Sequence, residues 1–196
     1  MKLKESFYQR PRVDIIAREL LGKVLISRFN DSLTSGMIVE TEAYSYKERG
    51  CHAYNNLRTS RTETMFDGGG HMYVYLCYGI HNMFNVVTNR KDKAEAVLIR
   101  AIEPIEGTEL MMKRSSAKRI HRITSGPGKL TKALGIDRAM DGELLTGSDV
   151  WLEDPGTKIA RNNIVVDTRI GIDYAGDDAL LPWRFYLKDN PWISRR

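Results

Sequence analysis

Two glutamates stand two positions apart in an apolar run, IVETEAY, at residues 38–44. Side chains alternate between the two faces of a β-strand, so Glu40 and Glu42 would share a face and lie about 7 Å apart. Carboxyl pairs at such separations hydrolyse glycosidic bonds, because one acts on water while the other acts on the leaving group. The run therefore favours a hydrolytic site, and the alternative is a surface pair bridged to basic residues.

Arg100 interrupts a second apolar run, AVLIRA, at residues 96–101. A guanidinium buried in a strand needs an acid as its partner. We therefore expect Arg100 to pair with the two glutamates.

Tyrosines are concentrated in one part of the chain. Six of the nine lie between positions 44 and 78: Tyr44, Tyr46, Tyr54, Tyr73, Tyr75 and Tyr78. Tyr73 and Tyr75 would share one strand face, and tyrosine is common in strands, so Tyr73 is assigned to strand packing. Tyr78 precedes Gly79 at an expected hairpin tip, where it has little to pack on. Proteins that bind the minor groove insert wedges between base steps, which makes Tyr78 a candidate wedge.

Other patterns do not meet the requirements of nucleotide, metal or nucleophilic-serine sites. The run SGPGKL at residues 125–130 lacks the G-x-x-x-x-G-K-[ST] spacing of a phosphate loop. The four histidines have no metal-ligand spacing with Cys51 and Cys77, and no serine lies in G-x-S-x-G. We expect no cofactor and no metal, which leaves acid–base chemistry with water as the nucleophile.

The composition is that of a globular domain of ordinary size, with 196 residues, 42% hydrophobic and 28% charged. The net charge of +5 is unevenly spread, because residues 108–132 carry seven Lys and Arg against one acid, whereas residues 137–156 carry six acids against one arginine. This asymmetry indicates a surface that faces a polyanion; the alternative is an ordinary solvated helix.

The compartment follows from what the sequence does not contain. No stretch approaches the roughly 18 uninterrupted apolar residues of a membrane span, and the N-terminal residues lack the apolar core of a signal peptide. Two cysteines are too few for a disulfide framework. We expect a protein of the reduced cytoplasm without membrane contact.

The expected elements mix helices and strands without a regular βαβ rhythm. Apolar spacing predicts a helix at residues 12–21 that ends before Gly22. Strands are predicted at 23–29, 36–44, 96–104 and within 181–194, a hairpin at 72–89 with its turn near Gly79, helices at 107–116 and 127–135, and a long loop at 45–70. The pattern predicts an α+β fold with a mostly antiparallel sheet, in one domain over residues 1–196.

Six motifs in order carry a resemblance to a known family: GMIVETEAY, MYVYLCYGIHNMFNVV, VLIRAIEPIEG, SGPGKLTKALGI, RIGI followed by AG, and WRFYLKDNPWIS. Together they closely resemble the alkyladenine (3-methyladenine) DNA glycosylase family, over about residues 7–194. The resemblance implies a single mixed domain around a curved, mostly antiparallel sheet, with a protruding β-hairpin that inserts into DNA.

The family's activity implies the reaction. Its members are monofunctional base-excision enzymes that flip alkylated or deaminated purines out of double-stranded DNA. They hydrolyse the N-glycosidic bond with an activated water and leave an abasic site, without a cofactor. We expect a monomer that acts on nucleoid DNA in the bacterial cytoplasm, and faster release of cationic alkylpurines than of neutral hypoxanthine.

The resemblance also implies roles for individual residues. Glu42 would be the general base that activates water against the sugar C1′, Arg100 would help to hold that water, and Glu40 would be structural. In the base pocket, Tyr44 would form the floor and Tyr75 the opposite side. The backbone N–H of His52 would contact the base edge. Asn85 would crowd the 2-amino group of guanine, and the segment around Ile172 would close the pocket.

Contacts to the duplex are implied as well. Tyr78 would fill the gap left by the extruded base, and Thr59, Arg61 and Lys129 would bind backbone phosphates. Two departures from the family concern the pocket edge: the loop before His52 is one residue shorter, and residues 177 and 178 are both aspartates.

Two rival functions predict different behaviour. A non-catalytic nucleic-acid-binding module, related to the C-terminal barrel of formyltransferases, would keep the basic patch but would not need Glu42 or Tyr44. A hydrolase acting on oligosaccharides or nucleosides would work without a duplex and without strong salt dependence.

Overall fold

Within residues 1–195, eight strands form one open sheet in which every pairing is antiparallel. The computed structural model describes residues 1–195. The strands are β1 (Val24–Phe29), β2 (Ser32–Ser45), β3 (Met72–Cys77), β4 (His81–Thr88), β5 (Glu95–Glu106), β6 (Val150–Glu153), β7 (Ile164–Asp167) and β8 (Arg184–Leu187). Their order is β3-β4-β5-β2-β1-β6, and β8 pairs with β2 and β7. The predicted α+β fold with a mostly antiparallel sheet is confirmed.

Four α-helices accompany the sheet. They are α1 (Glu5–Tyr8), α2 (Val13–Leu20), α3 (Thr108–Ser115) and α4 (Pro127–Leu134). The predicted apolar face of α2 is buried on the sheet, and Gly22 follows the helix with a φ of 81°, which is the conformation that a glycine after a helix adopts readily. No helix among residues 1–195 has the length and apolar character needed to cross a bilayer.

Several short elements were not predicted. They are α1, β6, β7 and five 3-10 helices: Tyr54–Asn56, Glu63–Phe66, Arg138–Met140, Arg161–Asn163 and Asp173–Leu180. All but one of these segments have three or four residues, which is too short for a period of 2 or 3.6 to stand out. Asp173–Leu180 has eight residues, but non-helical angles at Gly176 interrupt it. The loop predicted at 45–70 holds two of these 3-10 helices, and the extent of the single domain over residues 1–196 stays a prediction.

Strand β2 begins four residues earlier than predicted. Asn30 and Asp31 have φ angles of 49° and 60°, and this two-residue turn joins Phe29 to Ser32. Such turns match the twist of the two strands that they connect. The turn therefore extends the pairing through residues 32–35, three of which are polar.

The middle of β2 is paired along both edges. It pairs with β5 on one side and, at Glu40, Thr41 and Glu42, with β8 on the other. Register shifts interrupt the β2–β5 ladder on both sides of Glu40. Glu40 and Glu42 are both fully buried, so the surface-pair alternative is wrong.

A second, smaller apolar cluster anchors the 46–71 segment to the sheet. Loop residues Cys51, Ala53, Met65 and Phe66 pack against strand residues Tyr73, Val87 and Ala96 and against Ala94 just before β5, with Tyr44, Tyr46 and Tyr75 at the edge. Apolar burial of this kind holds a long connection in one position. The loop thereby becomes a fixed wall beside the C-terminal end of β2.

Candidate active site

A cavity of about 520 Å³ opens between the 46–71 segment, the β3–β4 hairpin and the segment that follows β7. Eight of the eleven predicted site residues line it: Tyr44, His52, Arg61, Tyr75, Tyr78, Asn85, Arg100 and Ile172. The volume is in the range of small-molecule sites. Glu42 lies just behind this lining, whereas Thr59 and Lys129 lie outside it.

Glu42 accepts two hydrogen bonds and lies beside one cation although it is fully buried. Its Oε1 accepts the backbone N–H of Ile170 at 2.8 Å, and its Oε2 accepts the phenol of Tyr44 at 2.7 Å. Arg100 Nη1 forms an ion pair with the same Oε2 at 3.3 Å. A carboxylate offers about four acceptor sites, so Glu42 can still accept from a further donor such as water.

Arg100 joins the two glutamates, as expected. Its Nε donates to Glu40 Oε1 at 3.2 Å, while Nη1 lies against Glu42. Burial alone would lower the pKa of Arg100, but the charges of Glu42 and Glu40 outweigh it and raise that pKa. The guanidinium is therefore a fixed positive charge beside the cavity.

Glu40 faces away from the cavity, toward the C-terminal residues. Arg184 Nη1 donates to its Oε1 at 3.1 Å, and the backbone N–H and hydroxyl of Ser194 bond it at 2.6 and 3.0 Å. All partners of Glu40 are therefore protein groups. This geometry is consistent with the structural role that the family resemblance implies for Glu40. It does not fit the alternative in which Glu40 is the second carboxyl of a catalytic pair.

Aromatic rings form much of the cavity wall. Tyr44 and Tyr75 both line it, and burial is the main reason that their pKa values lie above the ordinary value of 10. Tyr44 therefore remains a phenol that can donate to Glu42. Tyr73, which the sequence assigned to packing alone, also lines the cavity, with its ring centroid 5.4 Å from that of Tyr75.

His52 is held in one tautomer between two neighbours. Arg61 Nη2 lies 3.1 Å from its Nε2, and because a guanidinium can only donate, Nε2 must accept. The proton therefore sits on Nδ1 and is donated to the Tyr73 hydroxyl at 2.8 Å. Burial, assisted by the charge of Arg61, lowers the pKa of His52 from 6.5 to about 4. The His52 backbone N–H makes no hydrogen bond within residues 1–195.

A pH-dependent loss of stability follows from the neutral His52. Because the unfolded chain binds this proton near pH 6.5 and the folded chain only near pH 4, protonation favours unfolding between these values. The stability contributed above pH 6.5 should therefore be lost as the pH falls through this window. Urea unfolding should show a smaller loss in His52→Asn, whose amide does not titrate but can still donate to Tyr73. Equal losses in the two proteins would contradict this expectation.

Asn85 and Ile172 close two further sides of the cavity. Asn85 Nδ2 donates to the carbonyl of Tyr73 at 3.0 Å, which fixes the orientation of its amide. Ile172 is 5% exposed. Tyr174, which the sequence did not indicate, spans the mouth, because its hydroxyl lies 3.3 Å from the Gly50 carbonyl and both residues line the cavity.

The hairpin tip carries exposed apolar side chains. Tyr78 and Gly79 have φ angles of 50° and 73°, and the turn closes with Ile80 N–H donating to Cys77 C=O at 3.1 Å. Tyr78 is 92% exposed and Ile80 is 72% exposed. A tyrosine with positive φ is uncommon, and its ring gains nothing here from intramolecular packing.

Cationic groups lie around the cavity at different depths. Lys129 is exposed in the first turn of α4, where Pro127 lines the cavity. Thr59 is exposed in the turn before Arg61. A second cavity of about 280 Å³ shares Arg61 and Tyr75 with the first. It is also lined by Arg138, the one arginine of the acidic segment 137–156. Among residues 1–195, no group of His, Cys, Asp or Glu could hold a metal ion.

Comparison with known proteins gives a consistent result. A family model described as "Methylpurine-DNA glycosylase (MPG)" matches residues 6–191. A protein of Carboxydothermus hydrogenoformans is 46% identical over 196 residues, covering all of both chains. A protein of Methanocella arvoryzae is 46% identical over 198 residues, covering 99% of this chain and 96% of its own. Each is named "Putative 3-methyladenine DNA glycosylase".

Proposed function

The chain belongs to the methylpurine-DNA glycosylase family and is a DNA repair glycosylase, and from that premise we propose that it extrudes alkylated purines from duplex DNA and hydrolyses their N-glycosidic bond. The observation that carries the proposal is the position of Glu42, a buried carboxylate with two hydrogen-bond donors and a paired arginine, directly behind a cavity walled by Tyr44 and Tyr75. This arrangement provides a base, a stacking surface and a fixed cation in one place.

The proposed step balances without a cofactor. A water held by the free acceptor site of Glu42 attacks C1′ of the deoxyribose, and its proton passes to the carboxylate. The C1′–N bond breaks, and its electron pair goes to the purine. An alkylated purine carries a positive charge, so it leaves as a neutral base.

The cavity favours leaving groups that are already charged. Of the described residues that line it, none is Asp, Glu or Lys, and His52 is neutral at physiological pH. Protonation of a neutral base such as hypoxanthine therefore has no evident source, which supports faster release of 3-methyladenine. The lack of a lining lysine also supports a monofunctional enzyme, since strand cleavage through a Schiff base needs an amine.

Extrusion leaves a gap in the duplex, and Tyr78 is the side chain proposed to fill it. Tyr78→Asn removes the ring but suits a positive φ, so the turn should be retained. We expect excision from duplex to fall by about tenfold or more, because unstacking costs a few kcal/mol per step. Excision from a single-stranded oligonucleotide, where no gap forms, should change much less. An equal fall on both substrates would contradict the wedge role.

Release of free base from an oligonucleotide tests the proposal as a whole. The protein should free 3-methyladenine from methylated duplex DNA faster than hypoxanthine from an inosine-containing duplex, and affinity should fall steeply as salt rises. Binding without any released base would support the non-catalytic module. Equal cleavage of a free nucleoside, with little salt dependence, would support the sugar hydrolase. Faster release of hypoxanthine would contradict the preference for charged leaving groups.

A further inference from the structure

A buried ion pair, Arg169–Glu48, lies behind the wall of the cavity. Nη1 and Nη2 of Arg169 each contact one oxygen of Glu48 at 2.7 Å, and the two side chains are 0% and 3% exposed. Their desolvation offsets much of the attraction, so a pair of this kind is often no more stabilising than apolar side chains. The pair therefore contributes mainly through the groups that it holds in place.

Arg169 supports Tyr44 from the side away from the cavity. Its Cζ lies 4.8 Å from the centroid of the Tyr44 ring and 5.4 Å from that of Trp183, and Arg169 itself does not line the cavity. Its remaining hydrogen bonds go to the carbonyls of Ala43 and Asp178, both at 3.0 Å. The guanidinium thus ties the end of β2 to the 173–180 segment.

Glu48 fixes the opposite wall through its backbone contacts. Its Oε2 accepts the N–H of Gly50 at 2.7 Å, and its Oε1 lies 3.4 Å from the N–H of Ser45. A Cβ added to Gly50 would lie 2.8 Å from Glu48 Oε2 and 3.2 Å from Arg169 Nη2. Since Gly50 lines the cavity, the ion pair is packed directly against the cavity wall.

The pair also controls both hydrogen-bond donors to Glu42. The Tyr44 hydroxyl reaches Oε2 from the ring that Arg169 supports. The Ile170 N–H, which reaches Oε1, belongs to the residue next to Arg169 in the chain. A shift of Arg169 would therefore move both donors together.

We propose that Arg169 and Glu48 are positioning residues that orient Glu42 and the Tyr44 ring for catalysis. The inference rests on the proposed function, because it concerns the orientation of that base. Neither side chain contacts the purine, so the pair acts only through Tyr44, Ile170 and the cavity wall.

Two conservative variants, Glu48→Gln and Arg169→Lys, test this proposal. Glutamine turns a donor toward Arg169 or Gly50, and lysine loses both the paired hydrogen bonds and the planar contact with Tyr44. We expect the single-turnover rate constant for release of 3-methyladenine to fall by about 10- to 100-fold in each, because small misplacements of a catalytic group are costly. The dissociation constant for lesion duplex should change much less than the rate constant, because the Tyr44 ring itself is retained, and the double variant should lose little more than either single one.

Ser27→Ala is the matched control. Ser27 is fully buried and bonds Thr34 and the Leu134 carbonyl, so its loss weakens a buried network. Because none of these three residues lines the cavity, its excision rate should equal that of wild type even where its urea midpoint falls as far as those of the test variants. Wild-type rates in both test variants, or an equal fall in Ser27→Ala, would overturn the positioning role. An inactive wild type would instead count against the proposed function itself.

Discussion

We expect Glu42→Gln to lower the single-turnover rate constant of base excision by about 10²- to 10⁴-fold, the range attributed to a general base. Glutamine keeps the size of the side chain and can still accept from Ile170 or Tyr44. It cannot take a proton from water. Its NH₂ group must also face either the Tyr44 hydroxyl or the Ile170 N–H, which both donate to the native carboxylate. Rapid-quench measurements on methylated duplex give the rate constant.

Binding should separate chemistry from recognition in this variant. Glu42 does not line the cavity, so the affinity of Glu42→Gln for lesion-containing duplex should remain close to that of wild type. Glu109→Gln, which alters an exposed carboxylate in α3, is the control and should excise normally. Normal excision by Glu42→Gln would contradict its role as the base.

Tyr44→Ala has the second largest expected effect, because one side chain serves two purposes. Stacking of a base on an aromatic ring contributes about 1–3 kcal/mol, and a hydrogen bond to a charged group contributes about 1.5–3 kcal/mol. Losing both should weaken binding of the extruded base and also slow the chemical step. A factor of ten corresponds to about 1.4 kcal/mol. The loss of both contributions should therefore lower the rate measured at subsaturating enzyme by about 10²- to 10⁴-fold.

Tyr44→Phe separates the two contributions. It keeps the ring over Arg169 and removes only the donor to Glu42. The single-turnover rate constant should fall by about 10- to 100-fold at saturation, while the dissociation constant of lesion duplex is retained. If Tyr44→Phe and Tyr44→Ala bind lesion duplex equally weakly, the stacking role is wrong.

The strands that carry the site were predictable because their patterns are local. The alternation in residues 72–89 and the Gly79 turn gave the hairpin, and the apolar spacing of residues 12–21 gave α2. Arg100 in an apolar strand was enough to predict a buried acid as partner. In each case the deciding feature lies within one short run of residues.

Contacts between distant segments were not predictable from such runs. Arg169 and Glu48 are 121 positions apart, and neither segment has a feature that selects the other. Tyr73 was assigned to packing because alternation gives its strand face but not the neighbour, His52, that makes its hydroxyl part of the site. Arg138 borders a cavity beside Arg61 only because the 138–140 helix folds back toward β3.

Charge along the chain proved an incomplete guide to the DNA-facing surface. Arg114 belongs to the basic segment 108–132, yet it turns inward, donates to Thr34 and the Ala133 carbonyl, and has a pKa lowered by burial. Arg122 is exposed but donates to the Ser194 carbonyl. Net charge counts a part-buried, hydrogen-bonded arginine such as Arg114 equally with an exposed lysine such as Lys129, although only the exposed cation is free to meet phosphate.

A crystal structure of Glu42→Gln bound to duplex DNA containing a hypoxanthine would test the central claim most directly. The account predicts the purine outside the duplex and between the rings of Tyr44 and Tyr75, with C1′ facing the side chain at position 42 and Tyr78 within the base stack. A purine still stacked in the duplex, or bound away from the 520 Å³ cavity, would contradict it.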